Sequence, residues 1–544
     1  MNIPSILKRI FFPYILIFLA GILLYFKTLS FDLTYLDDHI WVNDYHWFLK
    51  DFKNLPLFFL QPDFISGVFY RPFLNISFMI NSAIGGTSPF VYHLTNILIH
   101  ILNGCLLFNF LKQLRYNAKA AGIFCVLFVV HPVLVSSVAW IPGRTDSLLA
   151  FFVLLSLICL NKYVEKERTL FLFMHGLFLL GALLVKETAV ATPLVAGYGL
   201  LLYATKRRWK ILVPVWVGII GLWLLVRQYV LRDAQMADFE TIIQSLWTNA
   251  PSLISYFGKV FLPLNLSVLP VLEDLPLIYG LVSLGVLLIC IFAFGVRQWS
   301  RLIFGLVWFL LFLIPALVIS FLKHEYRLYL PMIGCFFMLY EMKVWYKAAQ
   351  RPFYWIPGVT AILTAFFILS LQHMDHFRER MAFWQNAVVS SPHSPLAHRN
   401  LGAMYYLEKD LDKAEEEYHK ALELSPLEPM VHNNLGLIYA DRQQPQLALQ
   451  EYLAEIAVNP DYDNVYFNLG NLYYSQGYIE EAVSSWKTTI SLNDRYVQAY
   501  WNLMLHYLSR GDRTNTGVYI VELQKRGVEI PANIQQVWQR LNPS

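Results

Sequence analysis

Residues 11–42, FFPYILIFLAGILLYFKTLSFDLTYLDDHIWV, place two adjacent carboxylates, Asp37 and Asp38, directly after a membrane-length apolar run. Phe11 to Leu29 is long and apolar enough to cross a bilayer. Lys8 and Arg9 precede it and no small-residue cleavage site follows, so it reads as a retained first span rather than a signal peptide. The carboxylates then sit at a membrane surface among Tyr35, Leu36, Ile40 and Trp41. Apolar, aromatic surroundings raise the basicity of a carboxylate. The alternative is a solvated pair capping a short interfacial helix.

Working outward, the chain has 544 residues, of which 57% are hydrophobic and 15% charged. That is too apolar for a soluble protein of this length and points to membrane embedding. Further apolar runs fall at 90–111, 119–135, 147–161, 170–185, 188–204, 211–229, 277–296, 302–322, 330–346 and 354–371. The expected fold is therefore all-α, a polytopic membrane bundle of about eleven spans. The basic loops fall on alternate connections: Lys112, Arg115 and Lys119; Lys162, Lys166 and Arg168; Lys206, Arg207, Arg208 and Lys210; Arg297 and Arg301; Lys343, Lys347 and Arg351. Their common side reads as cytoplasmic. An odd number of spans then sends the C-terminal region to the side of Asp37 and Asp38.

From Asp375 onward, 14 Lys and Arg face 21 Asp and Glu, a net of −7 against +4 for the whole chain, which leaves +11 before it. The expected division is a transmembrane domain, 1–373, with an outer loop 30–89 carrying the acidic pair, followed by an extracytoplasmic domain, 374–544. The five cysteines, Cys105, Cys125, Cys159, Cys290 and Cys335, lie in apolar runs and form neither a disulfide framework nor a metal motif. No nucleic-acid partner is expected.

The C-terminal region repeats. Asn400-Leu401, Asn434-Leu435, Asn468-Leu469 and Asn502-Leu503 recur every 34 residues, as do Tyr405, Tyr439, Tyr473 and Tyr507. Ala414, Ala448 and Ala482, with Pro426 and Pro460, keep the same step. The pattern resembles the tetratricopeptide repeat and predicts an α-solenoid. Trp384, Ala387 and Pro392 extend it upstream as a half-unit. In the fourth unit Met504 replaces the glycine of Gly402, Gly436 and Gly470, and the tail from Arg513 reads as a cap. Asn400, Asn434, Asn468 and Asn502 are suited to holding the backbone of an acceptor peptide, or alternatively bridge neighbouring helices.

Polar residues inside apolar runs are expensive and informative. His93, Asn96, His100 and Asn103 are spaced to share one helical face, turned toward other helices or a wet cavity. Zinc is not expected there, because no carboxylate shares the face. Arg71, His131, Arg144 with Asp146, Lys186 with Glu187, and His324, Glu325 and Arg327 fall at the outer ends of the runs. Arginines there suit phosphate; ion pairs pinning helix ends, such as Arg144 with Asp146, are the alternative.

YLDDH, FYRP followed by FLNISFMINSAIGG, PFVYHLTNILIH, HPVLVSSVAWIPGRTDSLLAFF, LLVKETAVATP, YFGKVFLPLNLSV and EYRLYLP, closed by the repeats, appear in one order along nearly the whole chain. This order resembles the transmembrane and tetratricopeptide repeat-containing O-mannosyltransferases. The chain is shorter than their animal members, which points to a prokaryotic relative.

The resemblance implies a C-type glycosyltransferase fold and a polyprenyl-phosphate sugar donor, mannose by preference. It also implies a polypeptide acceptor held by the repeats and a catalytic acidic pair that maps onto Asp37 and Asp38. On that reading Asp37 is the general base and Asp38 orients the acceptor or assists through a divalent metal, a requirement left open. Arg71, Arg144, Lys186 and Arg327 hold the donor phosphate, and His93, Asn96, His100, His131, Glu187, His324 and Glu325 line the cavity, Glu325 being a weaker candidate base. A single displacement inverts the anomeric centre, since no second carboxylate is placed as a covalent nucleophile. The expected home is an inner membrane with the site and repeats periplasmic or external, or the endoplasmic reticulum lumen in a eukaryote. An oligosaccharide ligase, a lipid-linked sugar transporter and a membrane-anchored scaffold are the competing classes.

Overall fold

The computed structural model describes residues 5–63, 65, 67–204, 208–234, 238–318, 323–344 and 352–541. Lys206, Arg207, Lys347, Arg351, the side chains of Lys8 and Arg9, and the ends of the runs 302–322 and 330–346 lie outside them. The chain forms two compact units, Met1–Pro392 and His393–Ser544. Among the described residues the one β pairing is an isolated bridge between Val296 and Met342; the fold is all-α.

Each of the eleven apolar runs contains a helix. Among the described residues, six helices are long and apolar enough to cross a bilayer, and a bent pair, Ala118–Val129 with Pro132–Ala139, makes a seventh. The 50° bend falls at His131-Pro132, because proline lacks an N–H and forces the residue before it out of the helical region. His131 is accordingly extended at φ −72 and ψ 124. Thr169–Leu183, Ile278–Phe294 and Pro331–Tyr340 are shorter apolar helices, and Thr192–Tyr203 has 12 residues. At about 1.5 Å per residue the shortest of these are less than the roughly 30 Å hydrocarbon layer, while the 17 residues of Ile278–Phe294 stand at the lower limit of a span.

The short helices pack closely. A Cβ added to Gly305 would lie 2.5 Å from the Gly334 carbonyl oxygen, and one on Gly334 would lie 2.4 Å from that of Gly305. The helices Trp299–Leu313 and Pro331–Tyr340 thus meet backbone to backbone, as small residues permit inside membranes.

The first and last long apolar helices emerge at one end of this unit. Lys27 pairs with Asp375 at 2.5 Å, and the Asp32 amide donates to the Arg378 carbonyl at 2.9 Å. The segment expected to open the repeat array belongs here as well. Trp384, on the helix Arg380–Ser390, is fully buried and its indole N–H donates to the Thr34 carbonyl at 3.1 Å. The predicted half-unit is spent on the acidic loop.

The second unit is a series of antiparallel helix pairs: Pro395–Leu407 with Leu411–Leu424, Val431–Asp441 with Pro445–Val458, Asp463–Ser475 with Ile479–Leu492, and Val497–Ser509 with Arg513–Lys525. A last helix, Ala532–Leu541, follows. Arg513–Lys525 completes a fourth pair although its sequence leaves the pattern. The substitution that marks it has a physical reason. A Cβ on Gly402, Gly436 or Gly470 would fall 2.7, 2.4 or 2.6 Å from the ring of Tyr418, Tyr452 or Trp486. The fourth pair has Ile520 at the corresponding step, and the smaller side chain leaves room for Met504, with which it shares a core.

Gly436→Ala forces the Tyr452 ring from its place. It is expected to destabilise the repeat unit by about 1–3 kcal/mol, read as a lower denaturation midpoint, whereas Met504→Ala leaves a cavity instead of a clash.

Candidate functional site

The acidic loop turns sharply at Tyr35, whose φ of 61 is left-handed. Asp38 holds that turn. Its buried carboxylate accepts from the Thr34 amide at 2.6 Å and hydroxyl at 2.9 Å, from the Tyr35 amide at 2.9 Å and from the His39 amide at 3.0 Å. Four donors fill it, so Asp38 is a structural carboxylate, and the expectation that it orients the acceptor meets a side chain already occupied.

Asp37 is half-buried, and no hydrogen bond to its carboxylate is found among the described residues. Burial first, then the neighbouring charges of Asp38 and Asp63, push its pKa up to about 6. A base needs this combination: it ionises near neutral pH and has free lone pairs.

Residues from three distant loops share the surroundings of Tyr326 with Asp37. Arg71, just before the helix Pro72–Gly85, donates Nη2 to Glu187 Oε1 at 2.7 Å and Nε to Oε2 at 3.3 Å. Burial alone would raise Glu187, but the Arg71 guanidinium outweighs it and holds the carboxyl at about 2. Lys186 Nζ pairs with Asp146 at 2.6 Å. Burial lowers its pKa, Asp146 opposes that, and the charges of Arg71 and Arg327 add to the lowering. Asp146 therefore pairs with Lys186, not with Arg144 as the sequence suggested.

Arg327 is buried and reaches the Ala316 carbonyl at 3.2 Å, with no carboxylate partner among the described residues. Tyr326 lies in the electrostatic field of Arg327, Asp146, Asp37 and Arg71 together. His324 stacks on Tyr326 at 4.8 Å and on Trp140 at 5.7 Å. Burial, reinforced by Arg327 and Lys186, lowers its pKa well below the usual value and keeps the ring neutral.

Other expected site residues serve elsewhere. Arg144 is fully buried and saturated: it donates to Asn96 Oδ1 at 2.8 Å, Asn81 Oδ1 at 2.5 Å, the Tyr92 carbonyl at 2.9 Å and the Ser77 carbonyl at 3.4 Å. A donor phosphate has no access to it. Asn96 also donates to the carbonyls of Val138, Trp140 and Ile141. His100 lies 2.7 Å from the Tyr329 hydroxyl and 3.0 Å from the Val129 carbonyl, and His131 2.9 Å from the Val260 carbonyl. These three pin helices rather than line a cavity. His93 is buried with neither ring nitrogen bonded, its ring edge-on to Phe31.

Glu325 is buried against Lys259 at 2.5 Å and accepts from the Ser267 amide at 3.1 Å. Both contacts use Oε1, and Oε2 has no hydrogen-bond partner among the described residues. In the repeats, Asn468 donates to Asn433 at 2.9 Å and Asn502 to Asn471 at 2.8 Å, so two of the four asparagines bridge neighbouring helices. Asn400 donates to the Leu396 carbonyl at 2.8 Å within its own helix, and Asn434 accepts from Asn433 at 3.2 Å.

Sequence reasoning missed Asp63, Trp140 and Tyr326. Tyr326 stood next to Arg327 in EYRLYLP, and Asp63 eight residues before Arg71, but neither signal exceeds an ordinary loop residue. No group of three His, Cys, Asp or Glu side chains placed to hold a metal ion is found among the described residues.

Comparison with known proteins fits this arrangement. A family described as dolichyl-phosphate-mannose-protein mannosyltransferase matches residues 62–235, which contain Asp63, Arg71, Asp146, Lys186 and Glu187. Tetratricopeptide-repeat families match 395–427, 436–477 and 463–495. Protein O-mannosyl-transferase TMTC2 of Mus musculus is 33% identical over 159 residues, and Protein O-mannosyl-transferase Tmtc1 of Drosophila melanogaster 33% over 131. The aligned stretches cover 26% and 24% of this chain, and only 18% and 15% of those relatives' length. A crystal structure of MamA matches 27% of this chain and 86% of its own, at 23% identity and a TM-score of 0.25.

Replacing Arg144 with Met leaves Asn81, Asn96 and two carbonyls without their donor. It is expected to lower stability by about 3–5 kcal/mol, measured as a fall in melting temperature in detergent, with Arg144→Lys in between.

Proposed function

We propose that this protein is a membrane mannosyltransferase that moves mannose from a polyprenyl-phosphate donor to a hydroxyl of a polypeptide. The single observation that carries the reading is an unsaturated, half-buried carboxylate, Asp37, whose charge acts on Tyr326 together with those of Arg71 and Arg327, while Lys186 lies 5.8 Å from the same ring. The family match over 62–235 supports the sugar and the donor class.

In the proposed step the acceptor oxygen attacks the anomeric carbon as Asp37 takes its proton. The bond from that carbon to the phosphate oxygen breaks, and its electron pair leaves with the polyprenyl phosphate. Arg327, which has no carboxylate partner among the described residues, meets the growing phosphate charge, and Arg71 and Lys186 flank it. Glu187 and Asp146 hold those two in place, so the cations need little reorganisation when the charge moves. Direct displacement inverts the sugar. The repeats raise the local concentration of acceptor by tethering it, with Asn400, Asn434, Asn468 and Asn502 contributing where their amides are free.

The test is transfer of labelled mannose from synthetic polyprenyl-phosphate mannose to membrane and secreted polypeptides, by wild-type protein and by Asp37→Asn at equal expression. The wild type transfers and the variant falls by about 10²–10⁴-fold, the usual range for loss of a general base. Transfer of a preassembled glycan in place of single mannose would make the protein a ligase.

The pH dependence has a definite sign. Asp37 acts when deprotonated, so activity rises with pH through about 6 and then levels, and this limb is absent in Asp37→Asn. Because the fold raises this pKa, ionised Asp37 opposes stability once the pH exceeds its ordinary value. Asp37→Asn is therefore expected to melt no lower than wild type at neutral pH, which separates loss of chemistry from loss of fold. Arg327→Ala is expected to reduce turnover strongly while acceptor capture by the repeats is unchanged.

A further inference from the structure

A cavity of about 520 Å³ lies at the far end of the membrane unit from Asp37. It opens where the helices Pro89–Gln113 and Arg144–Lys166 end, and both helices begin beside the carboxylate site. The 25 residues of the first put roughly 37 Å between the two, about a membrane thickness. None of the residues assigned to the sugar-transfer site reaches it.

Its chemistry is divided. Leu160, Leu200 and Phe304 form buried apolar walls, while Lys112, Arg115 and Glu165 stand exposed at the rim. The three charged groups make no ion pair with one another or with any described residue, the closest polar contact being Lys112 Nζ with the Tyr116 carbonyl at 3.5 Å. Arg115 is held at the rim by a left-handed backbone, φ 65, whose amide donates to the Lys112 carbonyl at 3.0 Å. Two cations and one carboxylate without ion-pair partners among the described residues, around a hole walled by Leu160, Leu200 and Phe304, describe a ligand with a hydrocarbon tail, a phosphate and an amine.

We propose that this cavity is a binding site for a zwitterionic, phosphoethanolamine-type phospholipid. One acyl chain enters between the helix ends, the phosphate lies against Lys112 and Arg115, and the ammonium pairs with Glu165. A free phosphate would leave the apolar walls empty, and a purely anionic headgroup would leave Glu165 opposed to it. The inference is independent of the sugar-transfer reading.

Full-length protein is exchanged into detergent micelles containing equal phosphatidylethanolamine and phosphatidylglycerol, washed, and weighed by native mass spectrometry. Wild type is expected to retain one phosphatidylethanolamine with about tenfold preference, the ratio one charge-assisted contact supplies. Glu165→Gln, an exposed change that leaves packing intact, removes the preference while retaining lipid. The double variant Lys112→Ala and Arg115→Ala loses retention of both lipids. Gly199→Leu fills the cavity; a Cβ there meets the Phe304 ring at an ordinary 3.6 Å, so the change is accommodated, and retention is lost with the rim unaltered. Equal retention of the two lipids by wild type, unchanged retention in Gly199→Leu, or displacement by inorganic phosphate alone would overturn the proposal.

Discussion

A fully buried guanidinium with four acceptors organises the membrane unit. Arg144 draws the side chains of Asn81 and Asn96 and the carbonyls of Ser77 and Tyr92 around one buried charge, and its face lies 4.4 Å over the Phe78 ring. These partners belong to the helices Pro72–Gly85 and Pro89–Gln113, and Arg144 begins the helix Arg144–Lys166. A charge this deep is tolerated only when fully partnered, so the three helices have one relative arrangement in which it is satisfied. That arrangement sets where Arg71 leaves the first of them and where Asp146 enters the third. The pairs Arg71–Glu187 and Lys186–Asp146 close on the same geometry.

Adjacent in sequence, Asp37 and Asp38 do opposite work. Asp38 turns its carboxylate into the loop and collects four donors; Asp37, one residue on the other side of the turn, collects none among the described residues. The consequence is chemical. A carboxylate filled by backbone amides is a poor base, whereas one left half-buried beside two other carboxylates, Asp38 and Asp63, is a good one. The loop is fastened from outside as well, by Trp384 on Thr34 and by Arg380, whose guanidinium lies 5.6 Å over the Tyr35 ring. A segment whose sequence looks like a repeat fragment thus became the brace of the acidic loop.

The repeat unit shows the same interplay of volume and pattern. Glycine and an aromatic ring are coupled through contact in three helix pairs, and where Ile520 stands in place of the ring, Met504 occupies the glycine's position. The irregularity seen along the sequence is a compensated pair, so the solenoid runs on through Arg513–Lys525.

Much of this was legible from the chain alone. Apolar run length and the 34-residue period determined an all-helical membrane unit followed by a solenoid, since both are local periodicities that any helix must express. The order of motifs carried the resemblance to the O-mannosyltransferases, and the acidic pair stood out by position. Tertiary structure decided what sequence spacing cannot express: that Arg144 faces inward while Arg327 meets no carboxylate among the described residues, that Asp146 takes Lys186 as partner, and that Asp63 and Tyr326 join the site. These assignments depend on which groups burial brings within hydrogen-bonding distance across as many as 350 positions, as between Thr34 and Trp384. A buried charge takes the partner that its surroundings supply, and those surroundings exist only after the helices have packed.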